Sequence, residues 1–316
     1  MSDLDNIIIE SYINRALFEK SLGDESFFNY VVEILNPDIE KSKEGFYKDN
    51  WQNRKLGIVG LPYKKRKKDE LPELKNQTSE DLYKEQGVWN RSRRIKVHEK
   101  IKDSYRKKMY FEKKPRAYLM LGGGGSGKGF YLDKIKNEDK SLQNLPVLDI
   151  DEIRTSDQMP DYHRVWKIDK KLAANYVHNE VSELGSIIQD EYINQRSSFV
   201  RDAVFGNYSK LEELVKRLKN QGYEIHLIGV ATDYDLALKR IQKRFETKGR
   251  WLDPEVAKKG HKGASDSFAR VIFGPLKKDF SEIKLYDGNT DEGIIYDNNK
   301  IINERELERF LKKRTL

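Results

Sequence analysis

The sequence predicts an α/β chain: a mostly parallel, five-stranded sheet covered by helices on both faces, preceded by a mainly helical N-terminal region. Three observations carry that expectation. From Pro115 onward strand-like and helix-like segments alternate. The first of these strands runs into a series of glycines that ends in a lysine. Two later strands end in carboxylates, at the edge where open parallel sheets place their ligands.

Residues 1–59 read as short helices, because Ile9, Ile13, Ala16 and Leu17 lie at helical spacing, as do Phe27, Val31 and Ile34 before Asn36-Pro37 stops the run. Residues 60–89 are polar, charged and proline-bearing, which predicts a linker or loop. A helical period returns over residues 90–114, with Ile95, His98, Ile101, Tyr105 and Met109 at steps of three and four, and predicts a basic connecting helix. Residues 115–316 then form the α/β domain. Its strand candidates are Ala117–Leu121, Pro146–Ile150, Ser197–Ala203, Tyr223–Val230 and Glu282–Tyr286. Helices are expected after Lys128, across Lys167–Asn194, across Ser209–Asn220 with Gln221-Gly222 as its stop, and from Asp233 to Thr247. Tyr296–Lys300 reads as a hairpin turn, and Leu307, Phe310 and Leu311 mark a final amphipathic helix.

Composition narrows the function classes. The chain has 316 residues and no cysteine, which excludes disulfides, thiolate metal sites and a cysteine nucleophile. Its five histidines show no ligand spacing. Mean hydropathy is −0.82 and no apolar run approaches the roughly 20 residues of a membrane span. The Asn6–Glu10 stretch is too short for a secretory signal, so the expectation is a cytoplasmic protein without a membrane partner. Net charge is +8, and residues 91–116 hold twelve Lys or Arg against Glu99, Asp103 and Glu112, a local net of +9. A second basic run spans Lys64–Lys68, whereas the first 45 residues are mainly acidic. Basic clusters of this kind either bind nucleic acid or an acidic partner, or form a solvated helix face.

The glycine run Gly122-Gly123-Gly124-Gly125-Ser126-Gly127-Lys128-Gly129 directly follows the apolar strand ending at Leu121. Glycines let the backbone turn its N–H groups toward a polyphosphate, a lysine reaches the outer phosphates, and the next helix directs its positive end at them. The segment therefore predicts a phosphate-binding P-loop for ATP or GTP. Gly129 stands where a Ser or Thr hydroxyl normally holds Mg²⁺, so the metal must be held by a carboxylate, by water or by another hydroxyl. Small P-loop kinases of the adenylate kinase type carry the same Gly-Ser-Gly-Lys-Gly.

The second strand ends in Asp149-Ile150-Asp151, followed by Arg154. Strand alternation puts both carboxylates on one side; Asp151, nearer the open edge, is the candidate base for an acceptor hydroxyl, and Arg154 the candidate grip on an anionic substrate. The alternative is that one aspartate caps the following helix. Asp202, at the end of the third strand, either binds substrate or holds Mg²⁺ through water, with Asp151 as a further metal candidate, or simply pairs with Arg201 or a backbone amide. Arg240 and Arg244 lie four apart on one helix, and Arg250 follows a glycine. Guanidinium groups on such a segment can close on the transferring phosphoryl and neutralise its charge.

These segments resemble the zeta toxin family of P-loop kinases over roughly residues 112–290. The match runs through Gly122–Gly129, Leu148-Asp149-Ile150-Asp151, Gln221-Gly222-Tyr223-Glu224, Lys243-Arg244-Phe245-Glu246, Arg250 and Ile283-Lys284-Leu285-Tyr286-Asp287. The resemblance implies a three-layer P-loop kinase fold like that of nucleoside monophosphate kinases. It also implies Lys128 on the phosphates, Asp151 as base, and Arg244 and Arg250 as charge-stabilising lid residues. The toxins phosphorylate the sugar 3′-hydroxyl of UDP-N-acetylglucosamine with ATP or GTP, which implies a small-molecule hydroxyl acceptor, Mg²⁺, and an antitoxin or other protein partner met through the N-terminal region. Related kinases also occur in phage and mobile elements. Two departures bear on the substrate: Gly129 replaces a hydroxyl residue, and Arg201-Asp202-Ala203 stands where the toxins carry a Glu-Gly-Thr type segment.

Two other functions fit the residues. A polynucleotide or nucleoside kinase is suggested by the Asp151-x-x-Arg154 spacing and the basic segments. A non-catalytic nucleotide-binding module would recruit a partner through its acidic N-terminal helices.

Overall fold

The computed structural model describes residues 78–313 except 249, 291 and 292. The expected helices of residues 1–59, and the linker as far as residue 77, lie outside that range.

The sheet is built on five parallel strands, β4 (Arg116–Leu121), β5 (Val147–Asp149), β6 (Ser197–Ala203), β7 (Glu224–Ala231) and β8 (Glu282–Asp287), in the order β8-β7-β4-β6-β5. Three short antiparallel strands extend it: β9 (Ile294–Asp297) and β10 (Lys300–Ile301) beyond β8, and β3 (Tyr110–Phe111) beside the start of β6. Each central strand is a nearly continuous apolar run, as a parallel sheet covered on both faces requires. Alternation then sorts the side chains. Ala117, Leu119 and Leu121 join Leu227, Leu285 and Phe268 in one apolar layer, whereas Tyr118 and Met120 join Ile228, Val230 and Tyr131 in the other. The fold is thus a three-layer α/β sandwich, with the C-terminal ends of all five parallel strands along one edge.

Seven helices of the domain bear on the site. They are α4 (Lys128–Glu138), α5 (Ile150–Thr155), α6 (Pro160–Trp166), α7 (Lys170–Tyr176), α8 (His178–Asn194), α10 (Tyr234–Lys248) and α11 (Pro254–Phe273). Of the others, α9 (Tyr208–Asn220) ends at Gln221 and Gly222, whose φ of 73° is the left-handed stop expected there. The hairpin between β9 and β10 turns on Asn298 and Asn299, both at positive φ, and α12 (Glu304–Lys312) is capped by Asn303.

Several expectations need correction. The second strand stops at Asp149, because Asp149 Oδ1 accepts from the Asp151 N–H at 2.8 Å and caps α5; Ile150 is helical, not the end of a strand. Asp149 and Asp151 are therefore not strand neighbours on one side. The expected helix Lys167–Asn194 is divided into α7 and α8 at Val177, whose ψ of 7° leaves the helical region. Helices α6 and α11 were not expected at all.

The segment before β3 also differs. Residues 78–89, read as the end of a linker, form α1 (Ser79–Tyr83), with Thr78 and Asp81 as a capping box, and the hairpin of β1 (Lys84–Glu85) and β2 (Val88–Trp89). The basic helix consists of α2 (Arg91–Arg93), a π-helical stretch over Arg94–Glu99, and α3 (Lys100–Arg106), and it ends well before residue 114. The π-turn shifts the register. Ile95 is about half exposed, while Arg93, Val97 and His98 face inward. Arg93 is buried between Glu180 on α8 and Asp161 on α6, each at 2.6 Å, and His98 Nε2 lies 2.7 Å from Glu180. Of the twelve basic residues in this stretch, six pair with carboxylates among the described residues: Arg93, Lys102, Arg106, Lys108, Lys114 and Arg116. Among the described residues no helix is long and apolar enough to cross a membrane.

Candidate active site

The glycine loop between β4 and α4 is shaped by what packs on it. Gly125 and Gly127 have φ of 76° and 96°, which side-chain-bearing residues adopt at a cost. Gly123 and Gly124 are required by contact: a Cβ on Gly123 would lie 2.3 Å from the ring of His261, and one on Gly124 would lie 2.3 Å from Leu252 Cδ2. Ser126 is buried, and its carbonyl accepts from Thr232 Oγ1 at 2.7 Å. Gly129 sits one residue into α4 with open space where a Cβ would be.

Lys128 Nζ donates to Gly122 O at 2.8 Å and lies 3.5 Å from Asp202 Oδ1. The ion pair of Asp202 is thus with the loop lysine; Arg201 instead turns under the sheet edge and donates to Leu148 O at 2.9 Å. Strand register sets Asp149 opposite Asp202. Burial pushes the Asp149 carboxyl up to about 6, reinforced by the negative charges of Asp202 and Asp151.

Asp151, in the first turn of α5, meets three guanidinium groups. Arg154 Nη1 donates to Oδ1 at 2.9 Å, Arg250 Nη2 donates to Oδ2, and Arg244 Nη1 lies 3.9 Å from the same Oδ2. Burial raises the Asp151 pKa, but Arg154, Arg250 and Arg244 more than offset it and hold the carboxyl below its ordinary range. Arg244 is itself lowered by burial and by the nearby Arg250. Arg154 is further held by His178, whose Nδ1 accepts from Nη2 at 3.3 Å. The Nε atoms of Arg154 and Arg244 are buried with no partner among the described residues. Four cations therefore converge on three carboxylates, one of which ionises only above the ordinary aspartate range, and buried guanidinium N–H groups are left over. Such a cluster has the donors to receive an anion.

The cluster brings together Lys128, Asp151, Arg154, Asp202, Arg244 and Arg250, whereas Arg240, singled out with Arg244, donates to Gly288 O at 2.8 Å. It changes two of their settings. Asp149 caps α5, the alternative weighed for one of the two aspartates, and both oxygens of Asp151 are taken by arginines, which leaves Asp149 and Asp202 as the paired carboxylates beside Lys128. Among the described residues, no three His, Asp or Glu side chains lie close enough together to hold a metal by themselves. Sequence reasoning missed His178, Thr232, Leu252 and His261 as members of the site. Their partners are remote in the chain, and a single sequence carries no signal of them.

The Zeta toxin family profile matches residues 101–301, well over half of the chain. No curated protein matches it by sequence. Among solved structures, one of the PezAT chromosomal toxin–antitoxin system of Streptococcus pneumoniae aligns with a TM-score of 0.50 at 18% identity, over 69% of this chain and 94% of that one. The AvrRxo1-ORF1:AvrRxo1-ORF2 structure with sulphate ions aligns with a TM-score of 0.59 at 15% identity, over 75% and 83%. Its counterpart with ATP gives 0.57 at 15% identity, over 83% and 82%. At these identities the likeness is one of fold. The glycine loop, the sheet order and the family match lead to one conclusion: this chain belongs to the Zeta toxin family of P-loop kinases.

Proposed function

We propose that the protein transfers the γ-phosphoryl group of ATP or GTP to a hydroxyl of an anionic small molecule, of which a UDP-sugar is one example. The observation that carries this reading is the convergence of Arg154, Arg244 and Arg250 on Asp151, beside Lys128 on the glycine loop. The glycine loop, Gly122–Gly129, wraps the phosphates with its N–H groups, and Lys128 exchanges its hold on Gly122 O for the outer phosphates. Arg250 and Arg244 shift from Asp151 to the transferring phosphoryl, where negative charge is spread over the equatorial oxygens. That exchange frees Asp151 to orient the acceptor hydroxyl and take its proton. A loose transition state asks for this proton late, so a carboxylate of low pKa suffices. Arg154, steadied by His178, holds the anionic part of the acceptor.

The residues fit a divalent cation at Asp202 with Asp149. Burial first, and then the Asp202 carboxylate opposite it across the strands, raise the Asp149 pKa, and a cation held by the two would relieve that repulsion. When bound, Mg²⁺ neutralises charge on the phosphate oxygens. Asp151, also considered for the metal, is better matched to the acceptor because arginines occupy both of its oxygens.

By analogy with the toxin–antitoxin and ORF1:ORF2 structures, we assign the protein a dedicated protein partner of the antitoxin kind; that this partner is met through the N-terminal region and that the setting is cytoplasmic are readings of the sequence. A screen of hydroxyl acceptors with γ-labelled ATP and Mg²⁺ tests the reaction, with Lys128→Ala as control. Label in a phosphate-bearing small molecule, absent from the control, is the expected result. Label only in polynucleotide 5′-ends would replace the acceptor class, and no ATP turnover with any acceptor would leave a nucleotide-binding module.

A further inference from the structure

His261 is a buried histidine in the third turn of α11, and its ring touches the glycine loop. Its Nε2 lies 2.8 Å from Gly124 O. A carbonyl oxygen can only accept, so Nε2 carries the hydrogen and the imidazole is a donor. Burial, with Lys313 and Lys128 nearby, holds its pKa down to about 4, which keeps the ring neutral. The ring edge of Tyr234 packs against it at a centroid distance of 5.9 Å, and the Tyr234 hydroxyl donates to Pro254 O at 2.7 Å, fixing the start of the same helix. Leu252, between Arg250 and α11, packs against Gly124.

The peptide plane converts this contact into a statement about phosphate binding. In a trans peptide the carbonyl oxygen of Gly124 and the N–H of Gly125 point in opposite directions, so holding the oxygen toward α11 turns the N–H toward the interior of the loop. The other carbonyls at the start of the loop, on Gly122 and Gly123, are held by Lys128 Nζ at 2.8 and 3.4 Å. A lysine that serves the phosphates has to release them. His261 does not, because it stands outside the loop.

We propose that His261 is a positioning residue for nucleotide binding: its Nε2–H fixes the Gly124–Gly125 peptide with the N–H toward the phosphates, and it joins the loop to the helix that follows Arg250. The proposal rests on the nucleotide-binding reading above and adds a residue to it. His261→Leu removes the donor and keeps apolar bulk, His261→Asn withdraws the amide from reach of Gly124 O, and His261→Gln places an N–H near the Nε2 position.

The test measures ATP affinity by calorimetry and amide hydrogen exchange in the nucleotide-free protein. His261→Leu and His261→Asn should weaken ATP binding about tenfold and accelerate exchange at Gly124–Gly127 while leaving β7 protected; His261→Gln should stay within about threefold of the parent. Loop exchange and ATP affinity unchanged in His261→Leu, or His261→Gln as impaired as His261→Leu, overturns the proposal. A parent protein that does not bind ATP overturns the nucleotide-binding reading instead, and loop exchange still decides whether His261 positions the loop.

Discussion

Arg250 closes an ion pair onto Asp151 from 99 positions downstream, joining the segment after α10 to the first turn of α5. The contact lets one carboxylate hold Arg250 beside Arg154 and Arg244. If Arg250 then moves to the transferring phosphoryl, it stabilises charge that exists only in the transition state. Arg250→Ala should therefore lower kcat by roughly 100-fold with little change in ATP affinity. Steady-state kinetics paired with calorimetric ATP titration checks this. A loss confined to ATP affinity would make Arg250 a ground-state contact.

Asp151→Asn should depress kcat by about 100-fold or more, since an amide cannot take the acceptor proton, while the phosphate cradle is built elsewhere. Asn at 151 also loosens three arginines at once, so the comparison with Asp149→Asn is informative. Asn is as good a helix cap as Asp, and that variant retains the bond to the Asp151 N–H. If Asp149→Asn loses more turnover than Asp151→Asn at saturating Mg²⁺, Asp149 is the base.

The five parallel strands could be read from the sequence because a strand covered on both faces is apolar throughout, and the glycine loop because few other residues reach φ of 76° and 96°. What stayed hidden has tertiary causes. Asp149-Ile150-Asp151 alternates as a strand would, and only the bond from the Asp151 N–H to Asp149 turns it into a helix start. Helix α11 contains Gly260 and Gly263, which weaken its helical signal; a Cβ on Gly263 would stand 2.5 Å from Gly206 O, so the glycine serves a close backbone approach. The π-turn at Arg94–Glu99 breaks the helical period that placed Ile95 inward. Asp202 beside Asp149 depends on strand register, and His261 beside Gly124 on helix docking. The fold and the charged members of the site were therefore legible, whereas the residues that orient them were not.

The Asp149 carboxyl gives a pH-dependent prediction. Its folded pKa of about 6 lies above the ordinary value of 3.8, so the folded state disfavours its ionisation. Stability from this group is present below about pH 4 and is lost as pH rises through about 6, a penalty on the order of 3 kcal/mol at neutral pH. Asp149→Asn should raise Tm at pH 7.5 and do little at pH 4. Mg²⁺ should stabilise the parent at pH 7.5 more than at pH 5, and should lose most of that effect in Asp149→Asn. Equal stabilisation of parent and variant by Mg²⁺ would remove Asp149 from the metal site.

A Cβ at Gly129 would meet nothing within 4 Å. Gly129→Ser should fold, gain a few tenths of a kcal/mol or more in stability from helix propensity, and add a hydroxyl to the first turn of α4. If Asp149 and Asp202 bear the cation, this hydroxyl is a supplement: activity should saturate at lower Mg²⁺ while kcat changes by less than about threefold. A variant that stays folded but is inactive would show that the loop-to-helix junction tolerates no side chain once nucleotide is bound.

The basic segment separates structure from nucleic-acid binding through Arg93 and its exposed neighbours. Burial alone would raise the Glu180 pKa, but hydrogen bonds from His98 and Arg93 bring it down to about 2. The stability this group confers is present above the ordinary glutamate range near 4.5 and is lost as pH falls toward about 2. Removing Arg93 leaves Glu180 and Asp161 buried without their shared cation, and Arg93→Met should cost about 3–5 kcal/mol. Arg94 is exposed and Arg91 partly so; changing both to Ala should leave thermal stability and small-molecule turnover unaltered. If the acceptor were a polynucleotide, the double change would instead weaken its binding and reduce the salt slope by up to about one unit per lost phosphate contact. Denaturant melts of the single variant, together with salt-dependent oligonucleotide binding by the double variant, decide between a buried clamp on α6 and α8 and a nucleic-acid track.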